Sequence, residues 1–97
     1  MNNVFEITDK TSRKIRLTGK QWKHITTKHP YMPSYLNEVN ETITAPDKII
    51  PHTKGDIFDY YKYYKHRKDK LKFLQVVIKY LNGDGFVLST YFVTNTR

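Results

Sequence analysis

The sequence contains no cysteine and no long apolar run. Without cysteine the chain cannot form a disulfide framework or a thiolate zinc site, and the composition fits a reducing compartment. The first 20 residues lack the apolar core of a signal peptide, and no stretch approaches the roughly 18 apolar residues that a membrane span requires. We therefore expect a cytoplasmic protein that forms a single domain over residues 1–97, long enough to bury a packed core.

Acidic residues are also scarce, since 9 Asp and Glu stand against 17 Lys and Arg, and the net charge is +8. Such a balance indicates a polyanionic partner such as nucleic acid. The alternative is compositional, because the chain is rich in Ile, Asn and Tyr, as proteins from AT-rich genomes are. The charge is clustered between Lys62 and Lys72, where six Lys or Arg accompany one acid, and this clustering favours a binding role.

The only tryptophan and two of the four histidines fall within ten residues, Gln21 to Pro30. Thr18 is a suitable N-cap and Pro30 disfavours helical dihedrals at the residue before it, so we predict a helix from about Gly19 to Lys28. One face of this helix carries Trp22, Ile25, Thr26 and His29, and the neighbouring face carries a basic stripe of Lys20, His24 and Lys28.

The rest of the chain predicts one further helix and a series of strands. Pro33 opens the helix, which runs through Thr44. A turn at Lys54 to Asp56 leads into an aromatic strand. The predicted strands are 4–8 and 14–17 as a short hairpin, then 47–52, 57–67, 71–81 and 86–93. The fold class is therefore α+β, with two N-terminal helices on one face of an antiparallel meander of about four strands. The hairpin is expected to cover an edge, and the opposite sheet face is left for a ligand.

Several motifs resemble a family of small prokaryotic and phage-associated domains in the barnase, EndoU, colicin and RelE (BECR) group of ribonucleases. The resemblance begins near Ile15 and covers most of the chain. The matching residues are Trp22, His24, Ile25, His29 and Pro30 in the first motif, then Thr42, Ile43, Pro46 and Asp47, the strand Tyr60 to Tyr64, Val76, Val77 and Lys79, and the strand Leu88 to Phe92. Two positions depart from the pattern: Tyr31 stands where the family usually has an acid, and Ser89-Thr90-Tyr91 replaces Thr-Ala-Tyr.

The resemblance implies toxin-like, metal-independent RNA cleavage without a cofactor, by attack of a 2′-hydroxyl on the adjacent phosphate. It implies His24 and His29 as base and acid, Lys79 for charge stabilisation, and Ser89 and Tyr91 as hydrogen-bond donors to phosphate. Three of these residues also have a structural alternative. His29 suits the end of a helix dipole, Lys79 suits a solvated strand, and Tyr91 suits sheet packing. A metal pair of His24 and His29 is not favoured, because residues five apart point to different sides of a helix.

A second hypothesis is a non-catalytic RNA-binding module. Tyr61, Tyr63, Lys65 and Arg67 share one face of the predicted strand, where aromatic rings and cations suit stacked bases and phosphates. Lys20 and Lys28 extend the basic surface, whereas cross-strand aromatic packing is the competing explanation for the tyrosines. A third hypothesis is a toxin that acts only on the ribosome, and an inhibitor protein is a further expected partner.

The turn after residue 81 decides which side chains share a sheet face. A three-residue loop, Asn82 to Asp84, pairs Lys79 with Val87. We favour a loop with an odd number of residues because it gives one mostly apolar face. This face consists of Val76, Ile78, Tyr80, Leu88, Thr90 and Phe92. The polar residues Gln75, Lys79, Ser89 and Tyr91 are then expected on the opposite face, with a histidine reaching them from the end of the sheet.

Overall fold

The computed structural model describes residues 3–53 and 55–97, in which helices pack against a six-stranded sheet. The α+β class predicted from the sequence is therefore confirmed. In chain order the structure consists of β1 (Asn3–Thr8), β2 (Lys14–Thr18), α1 (Gly19–Lys28), a 3-10 helix (Met32–Tyr35), α2 (Leu36–Thr44), β3 (Lys48–Pro51), β4 (Ile57–Tyr63), β5 (Phe73–Leu81) and β6 (Asp84–Val93).

The sheet is mixed, with the strand order β1-β2-β6-β5-β4-β3. Strands β3 to β6 form the predicted antiparallel meander, but the N-terminal hairpin does not stand apart from it. Strand β2 pairs with β6 in parallel through Ile15 opposite Gly85 and Arg16 opposite Phe86. A Cβ atom at Gly85 would collide with the Ile15 side chain and approach Tyr80 to 2.9 Å, so the close approach requires glycine. This long-range contact makes a six-stranded sheet out of the predicted four strands and hairpin.

Helix α1 has the predicted bounds because both of its ends are capped. The Thr18 hydroxyl accepts a hydrogen bond from the Gln21 N–H at 3.1 Å, and the His29 N–H donates to the Ile25 carbonyl at 2.8 Å. Ile25 is buried and Trp22 is partly buried against the core. The prediction that the Trp22 helix packs on the sheet is therefore confirmed.

The core lies between the helices and one face of the sheet. Helix α2 contacts β4 and β5, whereas α1 lies against β2 and β6. Along β5 the side chains at even positions face this core, because Leu74, Val76, Ile78 and Tyr80 belong to one buried cluster with residues of both helices. The other members of the buried cluster are Ile15, Leu17, Ile25, Met32, Val39, Ile43, Tyr60, Val87 and Phe92.

A buried carboxylate fastens the β1–β2 turn to this core. Asp9 is 5% exposed, and it accepts hydrogen bonds from the hydroxyls of Tyr60 and Tyr80 and from the Thr11 and Arg13 backbone N–H groups. Burial alone would raise the pKa of Asp9, but these hydrogen bonds outweigh it and hold the pKa below its usual value. Burial and the bond to Asp9 raise the pKa of Tyr60 to about 12. The cluster therefore contains one stable negative charge and two protonated phenols at neutral pH.

Two predicted boundaries differ from the observed ones by more than two residues. The helix predicted from Pro33 starts as a 3-10 turn and becomes an α-helix at Leu36. The aromatic strand ends at Tyr63 rather than Arg67, because the Tyr64 N–H bonds the Lys72 carbonyl at 2.7 Å and the chain turns. The predicted turn at 54–56 begins at Lys54, which lies outside the described residues. Within the described part of the chain, no helix has the length and apolarity to cross a membrane.

Candidate functional site

The sheet face that points away from the helices, called the open face below, carries a row of polar side chains. Residues paired across neighbouring strands point to the same side of a sheet. Gln75 pairs with Tyr91 on one side and with Tyr61 on the other, and Val77 pairs with Ser89 and with Asp59. The open face in this region consists of Asp59, Tyr61, Gln75, Val77, Lys79, Phe86, Ser89 and Tyr91.

The predicted odd loop between β5 and β6 is wrong, although the predicted open face survives. The loop is the two-residue turn Asn82–Gly83, both with positive φ, and Leu81 pairs with Asp84. Lys79 therefore pairs with Phe86 rather than with Val87. A register shift then leaves Leu88 without a partner, because Val77 pairs with Ser89 and Ile78 with Val87. Beyond the bulge, the strands pair as a three-residue loop would have paired them. Lys79 and Ser89 therefore lie on the same face of the sheet.

The bulge also changes the position of Leu88, which was expected on the helix-packed face. Leu88 is 36% exposed, and its carbonyl accepts a hydrogen bond from the Gln21 side-chain amide at 2.5 Å. Helix α1 is thereby tied to β6 beyond the point where β2 stops pairing with that strand. The contact places the first turn of α1 beside β6.

His29 reaches the open face at Tyr91 on β6. Its ring centroid lies 5.0 Å from that of Tyr91, with an angle of 33° between the ring planes, and 6.1 Å from that of Tyr31. The pKa of Tyr91 is raised, mainly by burial and further by the nearby charge of Asp59. The Tyr91 hydroxyl therefore remains protonated at neutral pH and is able to donate a hydrogen bond.

His24 does not join this group. It is exposed on α1, in the stripe with the exposed side chains of Lys20 and Lys28, and His29 lies five residues further along. Five residues correspond to a rotation of about 140° on a helix, which separates the two imidazoles. Of the predicted catalytic residues, the structure thus brings His29 and Tyr91 into contact, puts Lys79 and Ser89 on the same sheet face, and leaves His24 on a different surface.

Sequence reasoning missed a second polar group on the open face. The Asp59 side chain is 1% exposed, and its two oxygens lie 2.9 Å from His52 Nε2 and 2.6 Å from Arg97 Nε. The Asp59 ion pair raises the pKa of Arg97. A lone acid between Phe58 and Tyr60 in an aromatic strand was the available signal, because an acid in a strand interior is unusual unless it has partners.

The predicted RNA-binding strand face is only partly present. Tyr61 is 1% exposed, so its ring is not available to stack on a base. Tyr63 is 48% exposed and lies 5.1 Å from Phe73, ring centroid to ring centroid. Lys65 is exposed in the turn after β4, and Arg67 does not share its face with the tyrosines. The predicted alignment of these four residues is wrong because β4 ends at Tyr63.

Arg67 instead packs on the helix side, with its guanidinium carbon 3.7 Å from the Phe92 ring centroid. It also pairs with Asp69 at 2.9 Å and donates to the Leu71 carbonyl at 2.7 Å. A pocket of about 540 Å³ lies beside it, lined by Tyr35, Glu38, Tyr64, His66, Arg67, Lys68, Asp69 and Phe92. Two acids in this lining offset its cations, so the pocket suits a polyanion less well than the open face does.

Among residues 3–53 and 55–97, no group of three or more His, Asp or Glu side chains has the arrangement of a metal site. The candidate site consists of the polar side chains of the open face and of His29 at its edge. No protein-family model, no curated protein and no solved structure matches this chain.

Proposed function

We propose that this protein is an endoribonuclease of BECR type that cleaves RNA without a metal ion and leaves a 2′,3′-cyclic phosphate. The observation that carries the proposal is the contact between His29 and Tyr91 on a sheet face that also bears Lys79 and Ser89. Attack of a 2′-hydroxyl on phosphate requires a group that moves a proton, a cation and hydrogen-bond donors. The open face and its edge offer one imidazole, one lysine and two hydroxyls, and Lys79, Ser89 and Tyr91 stand on three successive cross-strand rows of the sheet.

The roles follow from the chemistry of the side chains. His29 is the proton-transfer group, since a neutral imidazole has one nitrogen that accepts a proton and one that donates a proton. Tyr91 and Ser89 donate hydrogen bonds to the phosphate oxygens, and the raised pKa of Tyr91 keeps its phenol in the donating form. Lys79 provides positive charge against the charge that develops on the phosphate.

The surface charge supports RNA as the substrate. Lys20 and Lys28 are exposed on α1, the helix that presents His29, and Lys65 is exposed beyond the end of β4. The net charge of +8 gives the backbone of RNA a long-range attraction to the protein. In this proposal the protein acts in the cytoplasm, and the ribosome or an inhibitor protein is a further partner.

A non-catalytic RNA-binding module is the second candidate. The exposed ring of Tyr63 beside Phe73 favours it, because a solvent-facing aromatic pair is a platform on which a base stacks. The exposed Lys65 lies two residues after Tyr63 and would accompany the backbone of the stacked strand. Such a module would bind RNA and leave it intact.

The two candidates differ in whether RNA is consumed. We would incubate the protein with total RNA and with ribosome-bound message in EDTA, and identify the ends of the fragments. The ribonuclease proposal predicts cleavage that His29→Gln lowers by about 100-fold or more, as expected for a lost acid–base group. His24→Gln is the matched control, and it should cleave like the natural protein. Binding without cleavage of either substrate would select the module.

A further inference from the structure

Asp59 lies on β4 in the open face and binds two side chains from separate segments. His52 follows β3, and Arg97 belongs to the segment after β6, which folds back over the sheet. The backbone N–H of Arg97 also donates to the Tyr61 hydroxyl at 3.4 Å. Lys48 Nζ lies 3.3 Å from the Thr96 hydroxyl. The segment is thus attached to the open face at three neighbouring positions.

The burial of these groups is unequal. The Asp59 carboxylate is 1% exposed, whereas the side chains of His52 and Arg97 are 36% and 46% exposed. A buried carboxylate needs partners, and Asp59 uses one oxygen for each of them. The buried carboxylate therefore holds two side chains that are themselves partly exposed.

Each contact leaves functional atoms available. Asp59 bonds Nε2 of His52, so Nδ1 is the nitrogen that remains for a ligand. Asp59 bonds Nε of Arg97, and among the described residues the terminal Nη2 atom bonds only the Ile50 and Pro51 carbonyls, at 3.4 Å each. A guanidinium held in this way retains donors in the fork geometry that matches phosphate oxygens.

We infer that His52 and Arg97, positioned by Asp59, form a phosphate-binding site for the RNA backbone on the open face. Arg97 binds the non-bridging oxygens, and Nδ1 of His52 exchanges a proton with a reacting oxygen. Phosphate binding stands on the geometry alone, whereas the proton transfer rests on the proposed ribonuclease function.

The two histidines flank the open face from opposite sides. His52 is held at Asp59 on β4, and His29 packs on Tyr91 on β6, two strands away. As the 2′-oxygen bonds to phosphorus, its proton passes to one histidine. As the bond from phosphorus to the 5′-oxygen breaks, the other histidine protonates the leaving oxygen.

Inorganic phosphate is the probe for the binding part. Titration of the natural protein should shift the NMR signals of the His52 imidazole in a saturable way. Arg97→Met should weaken the apparent affinity by about ten-fold, the effect of one lost charge-assisted hydrogen bond, while Arg97→Lys should lose less. His66→Gln removes an exposed histidine beyond β4 and is the matched control. A His52 signal that does not respond to phosphate, or equal binding by Arg97→Met, would overturn the site.

Cleavage assays on the same proteins test the catalytic part. His52→Gln should lower kcat by about 100-fold or more at an unchanged melting temperature, and His66→Gln should cleave normally. If the natural protein cleaves RNA and His52→Gln cleaves equally well, the role of His52 is wrong and the proposed function stands. If the natural protein leaves all RNA intact while phosphate still binds through Arg97, the proposed function fails and the binding site stands.

Discussion

Replacing Asp9 by Asn tests the buried cluster that joins the β1–β2 turn to the core. The carboxylate accepts hydrogen bonds from two phenols, from the Thr11 hydroxyl at 2.7 Å and from two backbone N–H groups at 2.9 Å. An amide has one acceptor oxygen and turns its N–H donors toward the other groups, so at least one buried donor loses its carboxylate acceptor, and the phenols keep only their bond to each other there.

The expected loss of stability follows from these contacts. A hydrogen bond to a charged group contributes roughly 1.5–3 kcal/mol, and a buried group left unpaired costs about 1–3 kcal/mol. Because an amide keeps some of the bonds, we expect Asp9→Asn to lower the free energy of unfolding by about 3 kcal/mol. For a domain of this size, that corresponds to a fall of about 12 °C or more in melting temperature.

Urea denaturation at several pH values is the assay, with Asp56→Asn at an exposed position as the control. The folded-state pKa of Asp9 is depressed, so its contribution is fully present above the unfolded pKa of about 3.9 and is lost as the pH falls through the folded pKa. The difference between the natural protein and Asp9→Asn should therefore shrink as the pH falls below about 4. A loss under 1 kcal/mol at neutral pH, or a difference that grows in acid, would refute the reasoning.

Three further outcomes are expected. Trp22→Ala should lower the free energy of unfolding by about 2–3 kcal/mol, less than for a fully buried tryptophan, and an unchanged melting temperature would contradict the packing of α1. Gly85→Ala should destabilise by about 1–3 kcal/mol, because its Cβ would collide with Ile15, and an unchanged urea midpoint would argue against the β2–β6 contact. Joint replacement of the exposed Lys65, Lys68 and Lys70 by Ala should reduce the slope of log affinity for RNA against log salt by about one to two units. A slope equal to that of the natural protein would show that this loop does not dock on phosphate.

The parts of the fold that local chemistry determines were predictable from the sequence. Helix α1 has the predicted bounds because its cap, its periodicity and the following proline lie within about a dozen residues of one another. The place of the hairpin turn after Leu81 was likewise visible, since Asn82 and Gly83 tolerate positive φ, but its length was predicted as three residues and is two. Each of these signals acts through neighbours in sequence.

The parts that depend on distant contacts were not predictable. The parallel β2–β6 pairing requires Ile15 and Gly85 to meet across 70 positions, and no periodicity within either strand encodes it. The bulge at Leu88 depends on both β5 and β6, so a loop of the wrong length still led to the correct open face. The partners of Asp59 come from residues 52 and 97, and spacing along the chain does not reveal that they converge.

The basic cluster around the end of β4 shows the same limitation of prediction from sequence. Six Lys or Arg between Lys62 and Lys72 looked like one docking surface. The structure uses Lys62 to bind the Ala45 carbonyl, packs Arg67 on Phe92, and directs Lys72 to backbone carbonyls. A count of charges cannot separate cations that stabilise the fold from those that remain free for RNA.

The most direct test of the proposed function uses one RNA oligonucleotide and its analogue with a 2′-deoxy sugar at the position of cleavage. Mass spectrometry of the products in EDTA identifies the chemistry. We predict that the RNA yields a fragment ending in a 2′,3′-cyclic phosphate and that the analogue stays intact, because the attacking hydroxyl is missing. Cleavage of the analogue, or a requirement for added metal, would contradict the proposal.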